Sequence, residues 1–128
     1  RNFRVQILVP PPENMDDTLT KIGFAHNLIK KILNGEKYKT YRYGDKYVHL
    51  NVGNKVIIWD SDTGKNVAIG EIINKSIVKF GDLPVKIIGH EPYASKKEQI
   101  EIFKGFYGKE IGDDENMLVL EFKLVRGL

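Results

Sequence analysis

The chain has 128 residues, 41% hydrophobic and 29% charged, with 20 Lys and Arg against 17 Asp and Glu for a formal net charge of +3. That length suits one domain able to bury a core without disulfide or metal staples, and no apolar run approaches the roughly 18 residues of a membrane-spanning helix. The chain contains no cysteine, which excludes disulfides, thiol nucleophiles and cysteine-based zinc sites together. With no apolar leader visible near Arg1, a cytoplasmic setting is expected.

Taken in order, Phe3, Val5, Ile7 and Val9 alternate with other residues at a strand period, and Pro10-Pro11-Pro12 stops the run. Residues 13–18 are polar and read as a loop, so 1–19 is expected to be an N-terminal extension or an added edge strand, and 20–126 the core of a single domain. Leu28, Ile29, Ile32 and Leu33 give a helix face, with Lys30 and Lys31 on the other side. Asn34-Gly35 supplies the stop. From Lys37 the pattern turns to strands: Lys37 onward, Val48–Val52, then Lys55–Trp59. A hairpin over Asp60–Lys65 leads into Val67–Ile73, with Ile77–Phe80 continuing the sheet until Gly81-Asp82-Leu83-Pro84 breaks it. Ser95 with Glu98 forms a capping box for a second helix that carries Ile100, Phe103 and Tyr107 on one stripe and ends at Gly105 and Gly108. Leu118, Leu120, Phe122 and Leu124 make a closing strand with one wet face. Short strands with small helices predict an α+β domain around a small barrel.

Within this frame Gly35-Glu36-Lys37-Tyr38-Lys39-Thr40-Tyr41-Arg42 stands out. It packs cations, a hydroxyl and aromatic rings into one turn and the strand after it, a mixture suited to a ligand with phosphates and flat bases. Between residues 30 and 46, Lys30, Lys31, Lys37, Lys39, Arg42 and Lys46 face only Glu36 and Asp45, whereas Glu110, Asp113, Asp114 and Glu115 make the stretch after Lys109 acidic. Trp59, among Val56, Ile57 and Ile58, reads as a core residue. Asp60-Ser61-Asp62 reads as a hairpin turn, since the glycine of a calcium loop is displaced and strands flank it. His26, His49 and His90 show no metal-ligand spacing, and neither a metal nor a cofactor is expected.

The helix, the pattern Gly35-x-Lys37-x-x-Thr40-x-Arg42, Val52-Gly53, Asp82-Leu83-Pro84, Tyr107 and the strand Leu118–Phe122 together resemble the ASCH domain family, in its small stand-alone archaeal or bacterial type. The resemblance spans roughly residues 20–126. It implies a PUA-like mixed β-barrel flanked by two or three short helices. It further implies an RNA-binding module with a basic cleft built by Lys37, Lys39, Thr40, Tyr41 and Arg42, or alternatively a small amidohydrolase that removes the acetyl group of N(4)-acetylcytidine or a related modified nucleoside. In that bacterial branch the motif lysine is the base, the motif threonine the nucleophile and a later glutamate the proton donor. Lys37 and Thr40 match the first two, and Glu91, in Gly89-His90-Glu91-Pro92, lies about one position from the place of the third. An enclosed pocket bringing a glutamate to Lys37 and Thr40 would favour the enzyme, an open basic groove the binding module.

Overall fold

The computed structural model describes residues 19–128. The strand expected over 3–9, the proline stop and the loop at 13–18 lie outside the described residues. Five strands form one mixed sheet: β1 (Thr20–Phe24), β2 (Lys39–Tyr43), β3 (Lys55–Asp60), β4 (Asn66–Lys79) and β5 (Asn116–Gly127). Their order is β1-β3-β4-β5-β2, with β1 parallel to β3 and the other pairs antiparallel. The sheet curls into a half-barrel whose free edges are β1 and β2. Two helices, α1 (His26–Leu33) and α2 (Lys96–Tyr107), complete this α+β fold.

The strand β4 is what bends the sheet. Its first half pairs with β3 and most of its length with β5, and its register against β5 shifts at Ile69/Gly70 and again at Ile72/Asn74. Such bulges kink a strand and increase its twist. The stretch expected to pause between Ile73 and Ile77 is therefore one continuous element.

The stop of α1 follows the sequence pattern: the N–H groups of Asn34 and Gly35 bond back to Lys30 O and Ile32 O, and Gly35 has φ 87°. Ile29 and Ile32 are buried, while Leu33 is half exposed. The strand expected at Val48–Val52 is a turn instead. Leu50 N–H bonds to Tyr47 O, and the Asn54 side chain accepts from Asn51 N–H at 2.9 Å. These local bonds satisfy the backbone without a ladder, so the buried residues are Tyr47 and Leu50, and Val48 and Val52 face solvent. At the β3–β4 hairpin Asp60 Oδ1 accepts from the N–H groups of Asp62 and Thr63, an Asx turn. Ser95 Oγ accepts from Glu98 N–H at 3.1 Å, as the capping box requires, while Glu98 reaches back to Ala94 N–H. α2 runs through Gly105 and ends at Gly108, φ 71°. Among the described residues no helix is long and apolar enough to cross a membrane.

Two cores result. Beneath α1, Ile22, Phe24, Ile29, Ile32, Val56, Ile58, Ile72, Leu118, Leu120 and Phe122 pack together, so the aliphatic faces of β3 and β5 meet as the alternation predicts. Beneath α2 lie Tyr41, Phe80, Leu83, Tyr93, Phe103, Ile111 and Met117. Trp59 belongs to neither; half-buried, it lies over Gly23, where an added Cβ would come within 3.0 Å of the indole.

Candidate functional site

The Gly35–Arg42 motif is held by the backbone at three points. Lys37 N–H returns to Lys31 O at the end of α1, and Tyr38 O accepts from Phe122 N–H. Tyr38 N–H and Lys39 N–H both donate to Gly89 O, at 2.9 and 3.0 Å. That last contact ties the loop between β4 and α2 to the motif. Gly89 has φ 90°, and a Cβ there would lie 2.5 Å from the Tyr38 ring, so glycine alone lets the two segments meet. The residues that follow, His90 and Glu91, are thereby carried to Lys37.

Lys37 is 3% exposed. Its Nζ donates to Glu91 Oε1 at 2.5 Å and to Lys39 O at 2.8 Å. Burial lowers the pKa of the Lys37 ammonium against the opposing pull of Glu91. Burial alone would raise the Glu91 carboxyl, but the positive charge of Lys37 and the neighbouring His90 hold it below the usual carboxylate value. A lysine so placed can exist as a free amine at a pH where a solvated one could not, and its proton has an acceptor already in contact.

Thr40 is buried, and its Oγ1 accepts from Arg42 Nε at 2.9 Å. The acceptor role is taken by the guanidinium, so the hydroxyl proton remains available for donation. Arg42 Nη2 donates to Gly23 O at 2.8 Å, and the guanidinium lies over the rings of Phe24 and Tyr47 at 4.9 and 5.4 Å. Arg42 thus spans the gap between the two sheet edges. Its positive charge sits where negative charge on Thr40 Oγ1 would grow.

Tyr41 lies on the other face of β2 and stacks on His90, with ring centroids 4.1 Å apart and planes 9° apart. His90 is pushed down to about 4 by burial and by Lys37. As a neutral ring its Nδ1–H donates to Glu91 O at 2.8 Å. Because β2 is an edge strand, one cavity of about 310 Å³ wraps over it and collects residues from both faces. Lys37, Thr40, Tyr41, Arg42 and Glu91 all line it, with Gly23, Phe24 and Leu28 on one wall and Tyr93, Phe103, Phe106 and Tyr107 on the other.

Of the residues given candidate site roles, Lys37, Lys39, Thr40, Tyr41, Arg42 and Glu91, Lys39 alone does not line this cavity. Its carbonyl serves Lys37, but its side chain lies near the Tyr38 ring and lines a separate cavity of about 230 Å³. The sequence did not point to Gly23 and Phe24, which become a wall because β1 pairs in parallel with β3 and ends opposite β2. Nor did it point to Tyr93. A short alternation of Ile22 and Phe24 with Lys21 and Gly23 was the available signal for that strand.

The fold has known counterparts. An ASCH domain from Lactobacillus crispatus JV V101 matches with TM-score 0.62 at 19% identity, over 91% of this chain and 87% of that one. A protein from Enterococcus faecalis V583 assigned to DUF984 matches with TM-score 0.70 at 18% identity, over 91% and 90%. A mutant ASCH protein from Zymomonas mobilis matches with TM-score 0.58 at 13% identity, over 84% and 73%. No protein-family model matches the sequence, and no curated protein does. The architecture is the ASCH, PUA-like one.

Proposed function

We propose that this ASCH-fold chain is a small cytoplasmic amidohydrolase acting on N(4)-acetylcytidine or a related acylated nucleoside. The observation that carries the reading is the ion pair of buried Lys37 with half-buried Glu91, which shares one aromatic-walled cavity with Thr40. Lys37, as the free amine, takes the proton of Thr40 Oγ1, and the oxygen attacks the amide carbonyl carbon. Arg42 offsets the charge that develops on Oγ1. The proton crosses the short Lys37–Glu91 bond and reaches the amide nitrogen, the C–N bond breaks, and the amine leaves. Water then attacks the acyl-Thr40 ester, its proton going to Lys37; the ester C–O bond breaks, Lys37 returns that proton to Thr40 Oγ1, and acetate departs. General base catalysis contributes about 100- to 10,000-fold, so Lys37→Ala should lose most turnover by roughly that factor while remaining folded. The assay is cytidine release from N(4)-acetylcytidine. Wild-type release no greater than that of Lys37→Ala and Thr40→Ala overturns the reading.

The second reading is an RNA-binding module. It is favoured by Phe106, 74% exposed at the cavity wall and able to stack a base. It is weakened by the cations themselves, because Lys37 is paired with Glu91 and Arg42 is fixed to Gly23 O and Thr40. For single-stranded RNA, log affinity should fall against log salt by about 0.7 per phosphate contact. Arg42→Ala should remove close to one contact from that slope.

A further inference from the structure

Tyr41 is 6% exposed, and its hydroxyl is buried with no hydrogen-bond partner among the described residues. It is the one buried side-chain polar atom there of which this is true. The surroundings make the gap conspicuous. Gln99, fully buried, donates to Pro84 O and accepts from Lys96; Tyr43 and Tyr107 are both bonded; Thr40 and Lys37 are satisfied. Folded proteins rarely leave a buried hydroxyl unpaired, because the loss of its water is then uncompensated. The ring is held flat against His90, so the hydroxyl cannot easily swing to solvent. The residue lines the candidate cavity from the face of β2 opposite Thr40, and also lines the neighbouring cavity of about 230 Å³.

The chemistry of the missing partner follows from the neighbours. The Tyr41 hydroxyl is pushed up to about 12 by burial and by the negative charge of Glu91, so at neutral pH it is a protonated donor. It therefore calls for an acceptor, and the nearby carboxylate disfavours an anionic one. An uncharged carbonyl oxygen fits.

We propose that Tyr41 is a specificity-determining residue of this cavity, its hydroxyl donating a hydrogen bond to an uncharged carbonyl oxygen of a bound pyrimidine nucleoside. The inference rests on the cavity assignment made above for the hydrolase but requires only that the nucleoside binds. A polar group held unpaired for a ligand trades stability for recognition, and that trade separates this role from a structural one.

The test uses the whole chain and two probes, cytidine and N(4)-acetylcytidine, measured by calorimetric titration beside thermal melting. Tyr41→Phe keeps the ring and its stack on His90 and deletes only the oxygen. Binding of whichever probe the wild type takes should weaken about tenfold, the worth of one hydrogen bond at the strong end of its range, while the melting temperature stays level or rises. Equal affinity in the two proteins overturns the proposal. So does a lowered melting temperature with affinity unchanged, which would mark a hydroxyl serving the fold. Failure of the wild type to bind either nucleoside overturns it as well. Binding with the expected Tyr41→Phe loss but no cytidine release overturns the hydrolase reading alone and leaves Tyr41 with the assigned role.

Discussion

Under α1 the buried residues are almost all Ile, Val, Leu and Phe, with Tyr47 and Ala68 the exceptions, and they fit by shape alone. Under α2 the core is largely aromatic, and polar groups thread it: Lys96 Nζ bonds to Phe80 O, Leu83 O and Gln99 Oε1, Tyr43 N–H bonds to Tyr107 Oη, and His90 stacks on Tyr41. The two share β4 and β5 and differ in what they ask of a side chain. An aliphatic core needs volume, whereas an aromatic one with polar handles needs volume and partners. The cavity opens where the second kind meets the free edge of β2. The candidate site thus lies in the layer whose groups are already oriented by hydrogen bonds, with the aliphatic layer packed on the other part of the sheet.

The largest expected effect tests the aliphatic layer. Phe122 is 2% exposed and tilts against Phe24 at 5.9 Å. Phe122→Ala should destabilise the protein by about 3–5 kcal/mol through lost transfer energy and a cavity. Denaturant unfolding measures this; a variant as stable as the parent would erase the contrast between the layers.

Gly89→Ala sharpens it from the other side. A Cβ 2.5 Å from the Tyr38 ring, at a positive φ, forces the loop off the motif. The strain of such a backbone is about 1–3 kcal/mol, less than the loss at Phe122. Its effect on the Lys37–Glu91 pair should nevertheless be disproportionate. Cytidine release should fall by more than the change in stability explains, and parallel losses in the two would mean that the loop does not position Glu91.

The smallest effect, a few degrees in melting temperature, separates two histidines of opposite sign. His90 has a folded pKa of about 4, against about 6.5 unfolded. Between those values the unfolded chain binds the extra proton, so stability falls as pH falls through the window. His90→Gln should flatten that limb. His26, at the start of α1, bonds through Nδ1 to Asp60 Oδ2 at 2.6 Å, and that bond with the Asp60 charge raises its pKa. Its contribution is fully present below about 6.5 and is lost as pH rises through the raised value. His26→Ala should flatten this second limb and leave the acid one. Asp60, held down to about 2 chiefly by the same bond, keeps its share above the ordinary carboxylate value and loses it as the pH falls from there through about 2. Melting curves across pH read both limbs.

Much of this was legible before the fold was known, for identifiable reasons. Helices α1 and α2 announced themselves through 3.6-residue periodicity and terminal glycine, β3 through a β-branched run and β5 through the alternation of Leu118, Leu120, Phe122 and Leu124, because these are local signals. Val48–Val52 reads as a strand in the sequence but forms a turn because Asn54 reaches back to Asn51 through both its N–H and its side chain, which periodicity does not encode. In the site, Lys37, Thr40, Tyr41, Arg42 and Glu91 were all named and meet in one cavity, but the direction of Lys39 and the wall made by Gly23 and Phe24 were not foreseen. Those depend on which edges of the curled sheet face each other. That is a property of the closed topology and of no single segment.

The span of Arg42 from β2 to Gly23 O also bears on how this protein behaves among copies of itself. A curled sheet that stops short of closure exposes two rows of unpaired backbone groups, the usual template for chain-to-chain stacking. Here the Arg42 guanidinium occupies a carbonyl of β1, and the Gly89 carbonyl and the Tyr107 hydroxyl take N–H groups of β2. The contacts that shape the cleft thus also cap part of the sheet's adhesive borders, so a variant that breaks them to admit new ligands is expected to lose solubility along with them.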